Sequence, residues 1–558
     1  MKNVFLTIAV AILFSPCVSG QWNPDPEMNF VLMSGNIMSV KSVQTANNRT
    51  FVSWFYKSGR SNNYDLYVQL LDVNGYKLWD EPGLLISSHP QDTLNVEEQV
   101  MLCDKDDNLV IVFSDFRENA MQGLVCYKLN QEGEFLWGPD GLRIIANPAN
   151  NSITSISAYC DSTNDIIVSA GIYSQSNNVF FQRITSDKVL PWGINGKFIT
   201  NAEHAKVFST GEKIMFLFKE KTGNYPQYLI KLLYQFFDKD GNAIFADHKI
   251  VSDAGGIAFW DAYDAIMTDN HHLVVAWHDD RNHDGLELPY AQRIDEEGNT
   301  LWENNGIVLS TEPAVHHLSP LVVGKAPDNS TILIWQKTIA PFLIAVYRQK
   351  VDENGNILWG LNGQELLPEC FNFNKIESSV IDNENFYVSY GLHPTEGIYD
   401  TVHYMIGSYG IEDGAANWTQ PVSFAASPAP KDFLTMRLIP GVQLVTTWRE
   451  GAFTINQEVR AQNIGFDGTL GTMTSVSDIE QNSLSIFPNP ASDYIQINYN
   501  GSDIKTVLIE DIFGNIVYSQ MVNMRNPVIK ISHLNNGLYF VKLQTNNNRT
   551  FVSKIVRK

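Results

Sequence analysis

The sequence predicts an all-β fold, an eight-bladed β-propeller followed by a small C-terminal β-sandwich. Three observations carry this reading. An aromatic residue that closes a turn recurs as Trp22, Trp79, Trp137, Trp192, Phe245, Trp302, Trp359 and Trp418, at intervals of 57, 58, 55, 53, 57, 57 and 59 residues. A fixed period with drifting sequence marks a unit that buries its apolar faces only against its neighbours. Within each period, short β-branched and aromatic runs alternate with Asn/Asp/Gly turns, the pattern of a four-stranded antiparallel meander. After Gly471 the repeats give way to a polar stretch and then to alternating apolar residues between Gly, Asn and Pro turns. A repeat of about 55 residues suits a propeller blade. It is too long for a β-helix coil and too short for an immunoglobulin domain.

The stretch from Leu318 to Leu367 shows the elements in order. A first strand near Leu321-Val322-Val323 is followed by a turn at Ala326–Ser330, a second strand at Ile332–Trp335 and a third at Ala345–Gln349. The turn Asp352-Glu353-Asn354-Gly355 then leads to a fourth strand expected at Ile357-Leu358-Trp359. The second strand recurs in eight copies, from Val52-Ser53-Trp54 to Leu444–Trp448. Seven blades is the alternative count, because the copies at Phe245 and Trp418 are degenerate. The segment Trp22-Asn23-Pro24-Asp25 echoes Trp137-Gly138-Pro139-Asp140, and the last repeat has no aromatic strand after Asp467-Gly468. A strand within residues 22–31 is therefore expected to pair with residues 459–464, removing the open edges of the ring. The repeated Trp is expected as core between blades. The Asp of Asp-x-x-Gly is expected to close its own hairpin through backbone N–H groups.

Composition narrows the function. The formal net charge is −22, so phosphate backbones and anionic membranes are repelled and nucleic acid is excluded as a partner class. Residues 1–20 read as a signal peptide, with Lys2 before the apolar run Val4–Phe14 and Val18-Ser19-Gly20 as the cleavage site. No later run reaches eighteen apolar residues, so no integral membrane span is expected. Cys103, Cys126, Cys160 and Cys370 are too few for a disulfide framework, and their spacing supports no zinc site. Cys103 and Cys160 occupy equivalent places in consecutive repeats and are expected as buried thiols.

Candidate ligand-binding residues lie in the long connections, which a propeller gathers on one face. The densest polar cluster is His278, Asp279, Asp280, Arg281, His283 and Asp284, with His316 and His317 in the next loop set. Its spacing fits no known metal-ligand pattern, and no cofactor motif is present. In Phe113-Ser114-Asp115-Phe116-Arg117 and Trp277-His278-Asp279-Asp280-Arg281 the Asp and Arg read as a local ion pair that ties down the following loop. No nucleophile elbow, metalloprotease helix, phosphate loop or dinucleotide fingerprint occurs, so no catalytic residue is assigned.

The C-terminal segment carries Phe487-Pro488-Asn489-Pro490, Asp511-Ile512-Phe513-Gly514, Gly537-Leu538-Tyr539-Phe540-Val541 and a basic tail, Lys554-Ile555-Val556-Arg557-Lys558. These motifs, in this order, resemble the type A C-terminal sorting domain of the type IX secretion system of Bacteroidetes. The resemblance covers about residues 479–558 and rests on Pro488, Asn489, Pro490, Asp511, Gly514, Gly537 and Tyr539. It implies export through the outer-membrane translocon as partner, to the medium or the cell surface. The expected organisation is a signal peptide (1–20), propeller (21–471), linker (472–483) and sorting domain (484–558). The favoured function is a non-enzymatic secreted or cell-surface propeller that binds a glycan or a surface protein. The alternative is a secreted polysaccharide-directed hydrolase with carboxylates on the long-loop face.

Overall fold

The computed structural model describes residues 22–471 and 484–558, except 58–63, 91–97, 118–120, 147–151, 174–176, 224–228, 258–262, 315, 341–342, 372, 395–400, 453–455, 500–503, 512–515, 525 and 546–549. The expected signal peptide and linker lie outside the described residues. The chain divides into two compact units, up to Thr472 and from Met473 onward.

Among the described residues the first unit forms a cyclic succession of eight four-stranded antiparallel sheets, a propeller-type architecture. Sheet 1 comprises Ile37–Gln44, Thr50–Lys57, Tyr64–Leu71 and Leu84–Ser87, in that spatial order. The following sheets begin at Gln99–Cys103, Ser152–Cys160, Ala202–Ser209, Asp264–Met267, His316–Lys325, Phe373–Ile381 and Lys431–Ile439. The second strands are buried on both faces, which is why they read as unbroken apolar runs rather than alternating ones. Leu109 to Phe113 and Leu273 to Ala276 are all 0% exposed. Each of eight apolar cores lies between two consecutive sheets. The cluster of Phe55, Leu66, Ile111 and Tyr127 joins sheets 1 and 2, and that of Trp22, Ile37, Trp54, Ile439 and Val459 joins sheet 8 back to sheet 1.

The last sheet takes its fourth strand from the N-terminus, as the sequence suggested, but the register differs. Phe30–Gly35 pairs with Gln457–Ala461, and Trp22 stands outside the strand. The same correction applies throughout the array. In sheet 6 the fourth strand is Gln364–Cys370, whereas Ile357 makes a single bridge to Val351. The Trp therefore ends the hairpin, and the strand forms only after the chain reverses through Gly360 and Gly363.

A buried glutamine on the third strand fixes this arrangement. Gln349 donates through Nε2 to the Gly360 carbonyl (2.7 Å) and accepts at Oε1 from the Trp359 N–H (2.9 Å). Gln292 holds Trp302 in the same way through the Glu303 carbonyl, and Gln69 and Gln235 bond both the N–H and the carbonyl of Trp79 and Phe245. The indole then reaches into the following repeat. Trp302 Nε1 donates to the Glu353 carbonyl at 3.0 Å, Trp79 to Gln131 at 3.0 Å, Trp192 to Lys239 at 3.0 Å and Trp22 to Val73 at 3.1 Å. The glycine of the receiving turn lies beneath the ring. Gly355 has φ +88°, and a Cβ there would lie 2.8 Å from Trp302 Cδ1. Both the left-handed backbone and the close ring demand glycine. The turn aspartate closes its hairpin, as expected, because Asp352 Oδ1 accepts from the Asn354 and Asn356 N–H groups at 2.9 and 2.8 Å.

The second unit holds a three-stranded sheet (Leu484–Phe487, Tyr494–Tyr499, Val528–Lys530) and a four-stranded sheet. The latter has the order Ile516–Met524, Ile504–Glu510, Gly537–Thr545, Thr550–Arg557. One core, with Ile495, Ile497 and Ile529 from the first sheet and Val507, Ile509, Val541 and Ile555 from the second, joins them.

Candidate functional site

The structure does not gather the predicted polar cluster into one site. His278 and Asp279 end the second strand of sheet 5, Leu273–Asp279, and are 2% and 1% exposed rather than presented on a loop. Arg281 Nη2 donates to Asp279 Oδ2 and to the Asn305 carbonyl, both at 2.9 Å, and its guanidinium sits 3.4 Å from the Tyr290 ring centroid. Asp280 accepts from the Asp284 and Gly285 N–H groups (3.1 and 3.0 Å) and so shapes the turn. His283 and Asp284 are exposed beside it. His316 and His317 belong to a strand, where they pair with Thr338 and Lys337, not to a loop. A strand starts there because the chain extends sheet 6 as far as its partner Thr331–Ala340 reaches.

The ion pair is a repeated structural device. In sheet 2, Arg117 donates to both oxygens of Asp115 and to the Tyr127 hydroxyl at 2.7 Å. Burial works against the Arg117 charge, but Asp115 outweighs it and raises the guanidinium pKa. In sheet 8 the acidic position is Glu450, which accepts from Trp448 Nε1 at 3.1 Å and pairs with Arg460 at 3.1 Å. These carboxylates hold the arginines that tie down the segments around them. Among the described residues no group of three or more His, Cys, Asp or Glu side chains is close enough to hold a metal ion.

The structure instead brings together residues of the innermost strands. A cavity of about 430 Å³ is lined by Val100, Ser155 to Tyr159, His204 to Phe208, Tyr263 and Ala265, from sheets 2 to 5. Its walls are shaped by irregular pairing. The register shifts between Thr154 and Ser157 and between Glu203 and Lys206, and Ser155 and His204 take positive φ of 52° and 51°. Ser39 and Phe433 do the same in sheets 1 and 8, so the bulge belongs to the innermost strand of the repeat. Ser155 Oγ and His204 Nδ1 are 3.3 Å apart. Burial, with Lys219 adding to it, lowers His204 to about 4, so the imidazole is neutral at physiological pH. The Tyr263 hydroxyl donates to the Leu217 carbonyl (2.7 Å) and accepts from the Lys206 N–H (3.1 Å). Lys206 Nζ is neutralised by Asp264.

A second, more polar cavity of about 350 Å³ shares Tyr159 and is lined further by Cys103, Lys105, Cys160, Ser162, Asp269 and His271. Cys103 and Cys160 are free and half-buried rather than fully buried. Burial pushes both thiols up to about 12, which leaves them protonated and unreactive. Aromatic surface, neutral hydroxyls and a neutral imidazole suit the holding of an uncharged ligand. The sequence carried one faint signal of this site. Ser155-Ile156-Ser157 and His204-Ala205-Lys206 interrupt apolar strands with small or polar residues.

In the C-terminal unit the motif residues pin the terminal strand. Asn489, between Pro488 and Pro490, accepts from the Val556 N–H at 2.9 Å and donates to the Lys554 carbonyl at 3.0 Å. The Tyr539 hydroxyl donates to the Asn535 carbonyl at 2.9 Å, and Gly537 opens the central strand. Asp511 follows the strand Ile504–Glu510, and Gly514 lies outside the described residues.

No curated protein matches the chain. Among solved structures, the β-propeller domain of the trilobed protease from Pyrococcus furiosus is 8% identical, with 79% of this chain and 97% of that one covered and a TM-score of 0.33. The acylaminoacyl peptidase of Pyrococcus horikoshii is 8% identical over 86% of this chain and 58% of that one, with a TM-score of 0.34. The α-L-arabinofuranosidase Arb93A from Fusarium graminearum is 10% identical over 56% and 94%, with a TM-score of 0.30. Likeness of this degree carries no argument about what this chain does. Residues 485–558 match the family described as secretion system C-terminal sorting domain. The C-terminal unit is thus a sorting domain of the type IX secretion system, and it directs the chain to secretion and the cell surface.

Proposed function

We propose that the chain is a secreted, non-enzymatic binding protein, an eight-bladed propeller delivered outside the cell by a C-terminal β-sandwich that serves as its address. Eight cores between consecutive sheets support eight blades rather than seven, and the shared core of the C-terminal sheets supports the sandwich. The working part spans residues 21–471, preceded by a signal peptide at 1–20 and joined through a linker at 472–483 to the sorting domain at 484–558. One observation carries the binding reading. The charged residues of the expected loop site are engaged in ion pairs and turns, whereas the cavity of about 430 Å³ between the innermost strands is lined mostly by aromatic, aliphatic and neutral polar groups, its one charged side chain, Lys206, being paired with Asp264. Such a lining holds an uncharged ligand, with glycans and surface-protein side chains the candidate classes.

The test is a glycan array and a surface-protein panel probed with the full chain, with reducing-end release measured in parallel. Saturable binding without release supports the reading, and Val100→Trp, which fills the cavity, abolishes that binding. Turnover of a glycan by the purified chain refutes it.

A further inference from the structure

The sorting domain has an outer face that its own core does not use. Val507, Ile509, Val541, Leu543 and Ile555 point inward. Alternation along the strands then places Leu508, Leu538, Phe540 and Val556 on the other side of the four-stranded sheet. Met521 and Ile516 join them from the edge strand, opposite Thr506 and Glu510. Leu538, Phe540, Val556, Ile516 and Met521 are exposed, from 36% at Phe540 to 68% at Met521, and Leu508 is half-buried among them. Among the described residues the strand Ile516–Met524 is paired along one edge only, and its burial is low along its whole length. A free strand edge beside an uncovered apolar face is a docking surface unless something blunts it.

Charge indicates what docks. Residues 484–558 contain eight Lys/Arg and four Asp/Glu, although the whole chain carries a net charge of −22. Exposed Lys554 and Lys558 rim the apolar face at its last strand, and Lys542 lies within it, 2.9 Å from Glu510. A basic rim on an otherwise acidic chain selects an acidic partner and distinguishes this domain from its cargo.

From this we infer that the outer face of the four-stranded sheet, centred on Leu538 and Phe540, is the surface by which the domain docks on the secretion machinery. The partner is a protein surface with an apolar centre and an acidic rim. The inference rests on the sorting assignment and adds the face that performs it. Docking buries Phe540, Leu538 and Met521 as anchors, and Lys554 orients the encounter.

The experiment expresses full-length variants in a host that has the secretion system and measures the exported fraction. Leu538→Ser/Phe540→Ser should lower export by at least about tenfold, the loss expected when central interface anchors are removed. The purified variant should melt within about 2 °C of wild type, because both side chains lie outside the core. Phe540→Leu should restore export. Lys554→Glu, on the exposed rim, should lower export without affecting folding and so covers the case in which the double variant is unstable. Normal export of the folded variants overturns the inference. A change in self-association without a change in export also overturns it, since the occupant is then a second copy. Deletion of residues 472–558 runs alongside. If that deletion blocks export while the face variants do not, only the face is wrong; if it does not, the sorting assignment itself fails.

Discussion

Coupling between Trp302 and Gly355 tests the reading of the repeated motif as a clamp between successive sheets. Trp302 is 7% exposed, its Nε1 donates to the Glu353 carbonyl at 3.0 Å, and its ring leaves no room for a Cβ on Gly355. Trp302→Ala removes a buried indole and its hydrogen bond, at a cost of about 3–5 kcal/mol. Gly355→Ala places an L residue at φ +88°, costing about 1–2 kcal/mol. Crowding against the Trp302 ring adds about 1–3 kcal/mol. In the Trp302→Ala background the ring is gone, and only the backbone cost of Gly355→Ala remains. The double variant should therefore be more stable than additivity allows by about 1–3 kcal/mol. Urea unfolding of the full chain, followed by circular dichroism for the four members of the cycle, measures this directly. Additivity within about 0.5 kcal/mol would show that ring and glycine do not bear on one another. Trp302→Ala should also leave ligand binding by the folded protein unchanged, because the ring faces a neighbouring sheet. Loss of binding with an unaltered melting temperature would make the aromatic series a recognition surface instead.

Other outcomes follow from the same geometry. Trp22→Ala should destabilise the chain about as much as Trp302→Ala, because Trp22 clamps sheet 1 from the N-terminal side and closes the ring; thermal unfolding of both variants compares them. Burial raises the Glu377 carboxyl to about 7, with Asp432 adding to it and Lys375 opposing it. The folded state then binds more protons than the unfolded state between the ordinary glutamate value and about 7, so stability falls as pH rises through that window. Glu377→Gln should therefore match wild type near pH 4 and exceed it by about 3 kcal/mol at pH 8, an advantage that urea titrations at the two pH values would detect. A chain ending at Gly471 should keep nearly the melting temperature of the propeller in the full chain, since the expected linker has no apolar periodicity to dock it.

The repeat was legible in the sequence because its determinants are local. The Asp-x-x-Gly turn, the twelve-residue reach from Gln292 past the turn to Glu303, and the Trp all lie within one short segment. Second strands such as Leu273–Trp277 stood out as recurring apolar runs, which their burial on both faces explains. The place of the fourth strand was not legible, because Ile357-Leu358-Trp359 has the composition of a strand. Only the Gln349 side chain, holding Trp359 and the Gly360 carbonyl, shows that the hairpin ends there. The loop cluster was legible in part, because the expected Asp279–Arg281 ion pair is present whereas the strand that carries His278 and Asp279 was not legible. Polar residues such as His278 and Asp279 have the composition of a loop, yet both are buried at a strand end, where Asp279 meets a half-buried Arg281 stacked on the Tyr290 ring. The cavity was nearly invisible, because its lining comes from sheets 2 to 5 and its shape from bulges that leave no residue signature beyond a few polar interruptions. The C-terminal domain was the most legible, because its motif residues act within one small unit, as Asn489 does on the terminal strand.

The most direct test of the account is where two chains end up in a host that has the secretion system, the full-length protein and a chain ending at Gly471. If residues 472–558 are the address of an independently folded propeller, the full chain is found outside the cell. The shortened chain is then found folded and protease-resistant in the periplasm. Export of the shortened chain at the level of the full one would contradict the account.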